Sequence, residues 1–182
     1  ATDPHGRAVM VAAVEKQKFV YVINRDASNK MTISSPLEAH KANTLVFDVV
    51  GVDVGFENPV FAVLELDYED EEDESSEKML TYYELDLGLN HVTRRWSEPV
   101  SRTANLLVPV PETPGGVLVC GENWIAFKKE NHAEVRTPLP RRKDFPDDRG
   151  LLITASAECK LKDLVFFLVL TEIGDLYKVR LS

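Results

Sequence analysis

Four times along this chain an apolar run meets a short polar turn and then a second apolar run. The stretches are "AVMVAAVEKQKFVYVI" (8–23), "PVFAVLELDYEDEEDESSEKMLTYYELDL" (59–87), "GVLVCGENWIAF" (116–127) and "LVFFLVLTEIGDLYKVRL" (164–181). Their turns recur roughly every 50 residues, a spacing in the range of propellers and other repeat architectures. The runs are rich in Val, Ile, Leu and Phe, and each is short enough for a buried strand. In the third hairpin the Gly115–Gly116 pair runs straight into "VLVC". A phosphate-cradling loop needs a helix after its glycines, so this pair opens a strand.

Further strands flank the hairpins. "TLVFDVVGVDV" (44–54), "ANLLVPVP" (104–111) and "LLITASA" (151–157) precede the last three. "KMTIS" (30–34), "HVTRRWS" (91–97) and "AEVRTPL" (133–139) follow the first three. The repeat unit is therefore four antiparallel strands, the organisation of a β-propeller blade. No stretch carries a sustained helical period with caps, so no substantial helix is expected. Trp96 and Trp124 are not followed by Asp, so the propeller is a divergent, WD40-like one.

The fold class is thus all-β, a partial propeller of about three blades in one domain over 1–182. Residues 8–40 form a partial blade, 44–98 a blade with an acidic insert, 104–140 a blade and 150–182 a second partial blade. The chain enters at a second strand and stops after a third, from which we expect a piece of a longer protein. Alone, it should be loosely folded or aggregation-prone through its unpaired edges. A compact β-sandwich of similar length is the competing architecture.

Blade topology sorts the connections. "SPLEAHKAN" (35–43), "PRRKDFPDDRG" (140–150), the acidic loop and "GEN" (121–123) should share one face. "GVDVGFENP" (51–59), "PETPGG" (111–116) and "AECKLKD" (157–163) should share the other.

The net charge is −9, and most of it sits in "EDEEDESSE" (69–77), whose seven carboxylates leave the remainder nearly neutral. That run reads as a solvated hairpin tip, with a nucleic-acid mimic or a docking site for a basic partner as the minority reading. No face is obviously basic, which argues against direct nucleic-acid binding. The longest apolar run, 164–170, is too short for a bilayer-spanning helix. No basic-then-apolar leader opens the sequence. Cys120 and Cys159 form no metal or redox spacing, and a reducing compartment fits them best.

No nucleophile elbow, zinc-protease motif or Walker loop is present. His5, His40, His91 and His132 lie far apart, each in a polar or loop context. Asp48, Asp53, Glu65 and Asp67 sit on or beside strands, but their spacing is ordinary strand alternation rather than a glycosidase pair. "PRRKD" (140–144) could meet an acidic partner, or be neutralised by Asp144, Asp147 and Asp148. We therefore expect no catalytic residue, metal, cofactor or small-molecule substrate.

Long stretches carry a specific resemblance. "GRAVMVAAVEKQKFVYVINRD" (6–26), "TISSPLEAHKANTLVFDVVGVDVGFENPVFAVLELDY" (32–68), "LTYYELDLGLNHV" (80–92), "GVLVCGENWIAFKK" (116–129), "PLPRR" (138–142) and "TEIGDLYKVRL" (171–181) closely resemble the splicing factor 3b subunit 3 family. These are the large triple-propeller subunits of the factor that helps the U2 particle hold the branch site. The matching segment is the middle of the first propeller. The chain is more distantly similar to the large subunits of the damaged-DNA-binding complex and of the polyadenylation factor.

The resemblance implies a nuclear, non-enzymatic scaffold in pre-mRNA splicing. Such subunits clamp partners between their first and third propellers. The implied partners are the helical-repeat large subunit and a small helical subunit of the splicing factor 3b complex. U2 RNA and pre-mRNA would be contacted only indirectly, and no membrane is involved. The sister role, as an adaptor of a cullin-type ubiquitin ligase or a polyadenylation-factor subunit, is the alternative. Loop residues within the matching motifs are the partner-binding candidates: His40, Lys41 and Asn43 on one face, Phe56, Glu57 and Asn58 on the other, and Arg141 and Arg142.

Overall fold

The computed structural model describes residues 1–13, 16–68, 77–162 and 164–181. All of the acidic run except Glu77 lies outside the described residues. Among those described, the regular structure is all β-strand, with no helix.

The strands form four antiparallel sheets. The first holds β1 (Ala8–Ala12), β2 (Lys18–Arg25), β3 (Met31–Ile33) and β4 (Leu37–Glu38), with β3 and β4 both paired to β2. The second runs in order through β5 (Thr44–Val52), β6 (Val60–Asp67), β7 (Lys78–Asp86) and β8 (His91–Val100). The third contains β9 (Leu106–Pro109), β10 (Val117–Gly121), β11 (Trp124–Lys128) and β12 (Val135–Pro138). The fourth has three strands, β13 (Ile153–Leu161), β14 (Leu164–Thr171) and β15 (Leu176–Val179).

This is a partial propeller of four blades, which corrects the expected count of about three. The difference arises at the two ends. Short segments at 31–33 and 37–38 complete the first sheet, although two or three residues leave little periodic signal in a sequence. The inner strand of the fourth sheet, expected at 151–157, runs over Ile153–Leu161. Of the segment 157–163, expected as a loop, residues 157–161 belong to that strand, and Leu161 pairs with Leu164. Its polar residues misled because β13 is largely exposed, so no apolar alternation is required of it.

The core explains why the central strands are apolar at nearly every position. Along β6, Val60, Ala62 and Leu64 enter a cluster shared with the third sheet, while Phe61 and Val63 enter one shared with the first. On β7, Leu80 and Tyr82 divide from Tyr83 and Leu85 in the same way. On β10, Val117 and Val119 face the second sheet, and Leu118 and Cys120 face the fourth. Period-two side-chain alternation thus feeds two interfaces at once. Each fully buried Val, Leu or Phe contributes about 1.5–3 kcal/mol.

Polar groups stitch the inner strands together. Asp48 sits at a bulge in β5 and accepts hydrogen bonds from the N–H groups of Val49 (2.8 Å) and Leu107 (2.7 Å). Burial pushes its carboxyl above the ordinary value, against those two bonds. The Asn105 Nδ2 donates to the Ile153 carbonyl (2.9 Å), joining the third sheet to the fourth. Near the N-terminus, Thr2 bridges Val9 and packs on β5 so closely that a Cβ on Gly51 would lie 2.2 Å from the Thr2 carbonyl oxygen. Two backbones meet there, and neither can yield cheaply. Gly51→Ala should therefore lower stability by about 1–3 kcal/mol, read as a reduced urea midpoint at unchanged m-value.

Candidate functional site

The connections emerge at two ends of the stacked sheets, and each end has its own hydrogen-bonded frame. At the first end, the loop after β4 is anchored by a buried pair. The Lys18 ammonium, 1% exposed, lies 2.8 Å from Glu65 Oε2 and donates to Thr44 Oγ1 (2.6 Å) and the Lys41 carbonyl (2.8 Å). The Tyr83 hydroxyl donates to the other Glu65 oxygen at 2.8 Å. Burial, reinforced by the Glu65 charge, holds the Tyr83 phenol well above its ordinary range. The pair joins β2 of the first sheet to β6 of the second.

The same end carries the 140–150 loop. Asn123, in the β10–β11 turn with φ of +67°, accepts at its Oδ1 from the Leu151 N–H (2.9 Å) and from Arg141 (3.1 Å). The turn therefore organises the loop rather than standing free. Arg149 reaches Glu172 at 2.6 Å, tying in the β14–β15 turn.

At the second end, Asp3 receives the Arg7 guanidinium twice, at 2.9 Å each, and the Arg7 N–H at 3.0 Å. Arg7 Nη1 also donates to the Glu57 carbonyl, which fixes the 53–59 loop. Burial raises the Asp3 carboxyl pKa, but the bonds and charge of Arg7 outweigh it, and the net direction is downward. Arg95 lies between Glu84 (3.2 Å) and Glu130 (2.8 Å), linking β7 to the segment after β11. Gly115 and Gly116 have φ of +77° and +83°, where only glycine is unstrained, and they turn the chain into β10.

The eight candidate residues fall into two groups. Lys41 pairs with Asp67, and its carbonyl takes the Lys18 ammonium. Asn43 adopts φ of +60° and donates its N–H to the Lys16 carbonyl (3.0 Å). Asn58 bridges Glu84 (3.0 Å) and the Leu87 N–H (3.4 Å). Arg141 accompanies its Asn123 contact with bonds to the carbonyls of Pro146 and Arg149. These four hold loop backbone in place. His40, Phe56, Glu57 and Arg142 are exposed. Phe56 is 95% exposed and stacks on His5 at 5.4 Å between ring centres. Arg142 pairs with Asp144 and, at 3.5 Å, with Asp175. The structure brings Phe56, Glu57 and Asn58 together with His5 and Arg7, and it leaves the 40–43 and 141–142 groups at the opposite end.

Sequence reasoning passed over Lys18 and read Glu65 only as part of ordinary strand alternation. The available signal was a Lys and a Glu at inward positions of apolar strands, where an unpaired charge is not tolerated. Of the other strand carboxylates, Asp67 is paired with Lys41 and Asp48 is committed to backbone N–H groups. Among the described residues, no cluster of three or more His, Cys, Asp or Glu side chains could hold a metal ion. Burial pushes the Cys120 thiol up to about 12, so it behaves as an apolar filler.

Two outcomes follow from these frames. Lys18→Ala or Glu65→Ala alone strands a buried charge and should cost about 3–5 kcal/mol by urea unfolding, whereas Lys18→Met with Glu65→Leu should recover most of that loss. The Asp3–Arg7 contribution is complete above the ordinary carboxyl value of 3.8 and is lost as pH falls through the depressed folded value. Melting curves taken from pH 5 downward should fall more steeply for the unsubstituted protein than for Asp3→Asn.

Comparison with known proteins covers the whole chain. The family model described as the RSE1/DDB1/CPSF1 first beta-propeller matches residues 1–182. Spliceosome-associated protein 130 A of Arabidopsis thaliana is 52% identical across all of this chain and 16% of its own length. Splicing factor 3B subunit 3 of Danio rerio is 53% identical, again across the full chain and 16% of that protein. Pre-mRNA-splicing factor RSE1 of Mycosarcoma maydis is 50% identical across the full chain and 17% of its length. The chain thus spans only 16–17% of the length of these curated relatives.

Proposed function

The chain belongs to the RSE1/DDB1/CPSF1 first-β-propeller family, and from that premise we propose that it is a protein–protein scaffold of the splicing factor 3b complex. It acts without catalysis, in the nucleus, supporting branch-site recognition by the U2 particle. The carrying observation is that relatives named for splicing match it at half identity over its whole length. Its stacked sheets hold two sets of loops in fixed positions, as a binding platform requires.

Its partners are the helical-repeat large subunit and the small helical subunit of that complex, with RNA held mainly by other components. His40 and Arg142 at one end, and Phe56 and Glu57 at the other, are the loop side chains offered to them. Lys41, Asn43, Asn58 and Arg141 set the loop shapes. The whole segment forms part of a single propeller. The adaptor role in a ubiquitin ligase or polyadenylation factor is disfavoured by the splicing names of its half-identical relatives.

The test is affinity purification of the tagged full-length protein from nuclear extract, with stoichiometric partners identified by mass spectrometry. The expected result is recovery of the helical-repeat subunit with U2 RNA. Recovery of cullin or polyadenylation components in their place would overturn the assignment.

A further inference from the structure

We propose that Arg95 is a positioning residue for partner binding: from a bulge in β8 it ties together the loops of one end, so that Phe56 and Glu57 meet a partner already in place.

The strand register singles this residue out. Across β7 and β8, Tyr82 pairs with Trp96 and Tyr83 with Arg94, so Arg95 is the extra residue of a bulge. A bulge disturbs the strand alternation locally and re-aims a side chain. Here the guanidinium reaches three carboxylates. Its Nε donates to Glu130 Oε2 at 2.8 Å, in the segment after β11, and its Nη1 donates to Glu84 Oε2 at 3.2 Å. The Glu57 carboxylate stands 3.9 Å from the same Nη1. Burial draws the guanidinium pKa down, but the carboxylates outweigh it, and the net direction is upward.

The contacts continue into the loop that carries Phe56. The second oxygen of Glu84, Oε1, accepts from Asn58 Nδ2 at 3.0 Å, and Asn58 Oδ1 accepts from the Leu87 N–H at 3.4 Å. From the side of the first sheet, Arg7 holds the Glu57 carbonyl. Phe56 directly precedes both anchored residues and is 95% exposed, so its base is fixed while its ring faces solvent. A loop that must be ordered on binding loses affinity by the entropy of that ordering, and one ordered beforehand does not. The position needs arginine rather than a positive charge alone. The planar guanidinium donates in two directions at a fixed spacing, whereas a lysine ammonium is a single charge on a flexible stem. The inference rests on the scaffold reading in taking Phe56 and Glu57 as partner contacts, and it adds the residue that holds them.

The test compares Arg95→Lys and Arg95→Gln in the full-length protein. Without partners, hydrogen exchange read by mass spectrometry should quicken over 53–59 and 84–90 in both variants and stay unchanged over 140–150 at the opposite end. Affinity for the co-purifying protein should fall about three- to tenfold in both, the effect of ordering one or two side chains on binding. In a Phe56→Ala background the same substitutions should lose most of that effect, because Arg95 acts through the loop. The melting temperature should change little, because the Arg95 side chain is 36% exposed and holds a loop rather than the core.

Unchanged exchange over 53–59 would overturn the proposal. So would full affinity in Arg95→Lys, since charge alone would then suffice, or an equal loss with and without the Phe56 ring, since Arg95 would then touch the partner itself. If splicing proteins co-purify undiminished with every variant, this inference fails and the scaffold reading stands. If the weakened partner belongs to another complex, the scaffold assignment fails and the positioning role stands.

Discussion

The second and third sheets each bury two faces, against neighbours on either side. That requirement governs nearly everything else. Strand β6 sends Val60, Ala62 and Leu64 one way and Phe61 and Val63 the other. A one-residue slip in register would exchange the two sets and mismatch both interfaces together. The register is therefore specified twice over. A single sheet of this size could not bury enough apolar area to hold itself together, and stability comes from the stack.

The polar exceptions make sense against that background. Lys18 and Glu65 lie at positions that alternation assigns to the first interface, and each is tolerated there because the other is present. Asp48 and Asn105 use buried side-chain atoms to capture backbone groups of the adjacent sheet, which fixes the sheets along the strand direction where apolar contacts would allow sliding. Loops that leave such a frame inherit its rigidity. Lys41, Asn43, Asn58 and Arg141 are tied into the frame by hydrogen bonds and ion pairs, so exposed neighbours such as Phe56 and Arg142 are presented from defined positions.

Much of the fold was legible in the residues. Apolar runs with glycine, asparagine and acidic turns identified the four hairpins, because strand burial and turn chemistry are both local. Less legible were the strands that carry no apolar signature. Segment 157–161 is polar because that edge of the inner strand is exposed, and β4 is two residues long, so neither produces a pattern to read. The blade count fell short because the two terminal sheets were read as partial blades. Of the candidate binding residues, sequence reasoning located the loops but could not divide shape-forming from exposed members. Asn43 and Asn58 look alike as letters, and only their hydrogen bonds distinguish them from Phe56.

By itself, the sequence determined the class of the fold, its four-strand repeat and its family, since periodicity, turn residues and long matching motifs are properties of chain order. Only the tertiary structure decided which alternating set faces which neighbour, that Lys18 neutralises Glu65, and that Tyr82 and Glu112 line one cleft. Those facts join residues 30 to 47 positions apart in the chain, on different strands or different sheets. Their energies depend on the distance and burial that arise when the sheets stack, and neither quantity exists until they do.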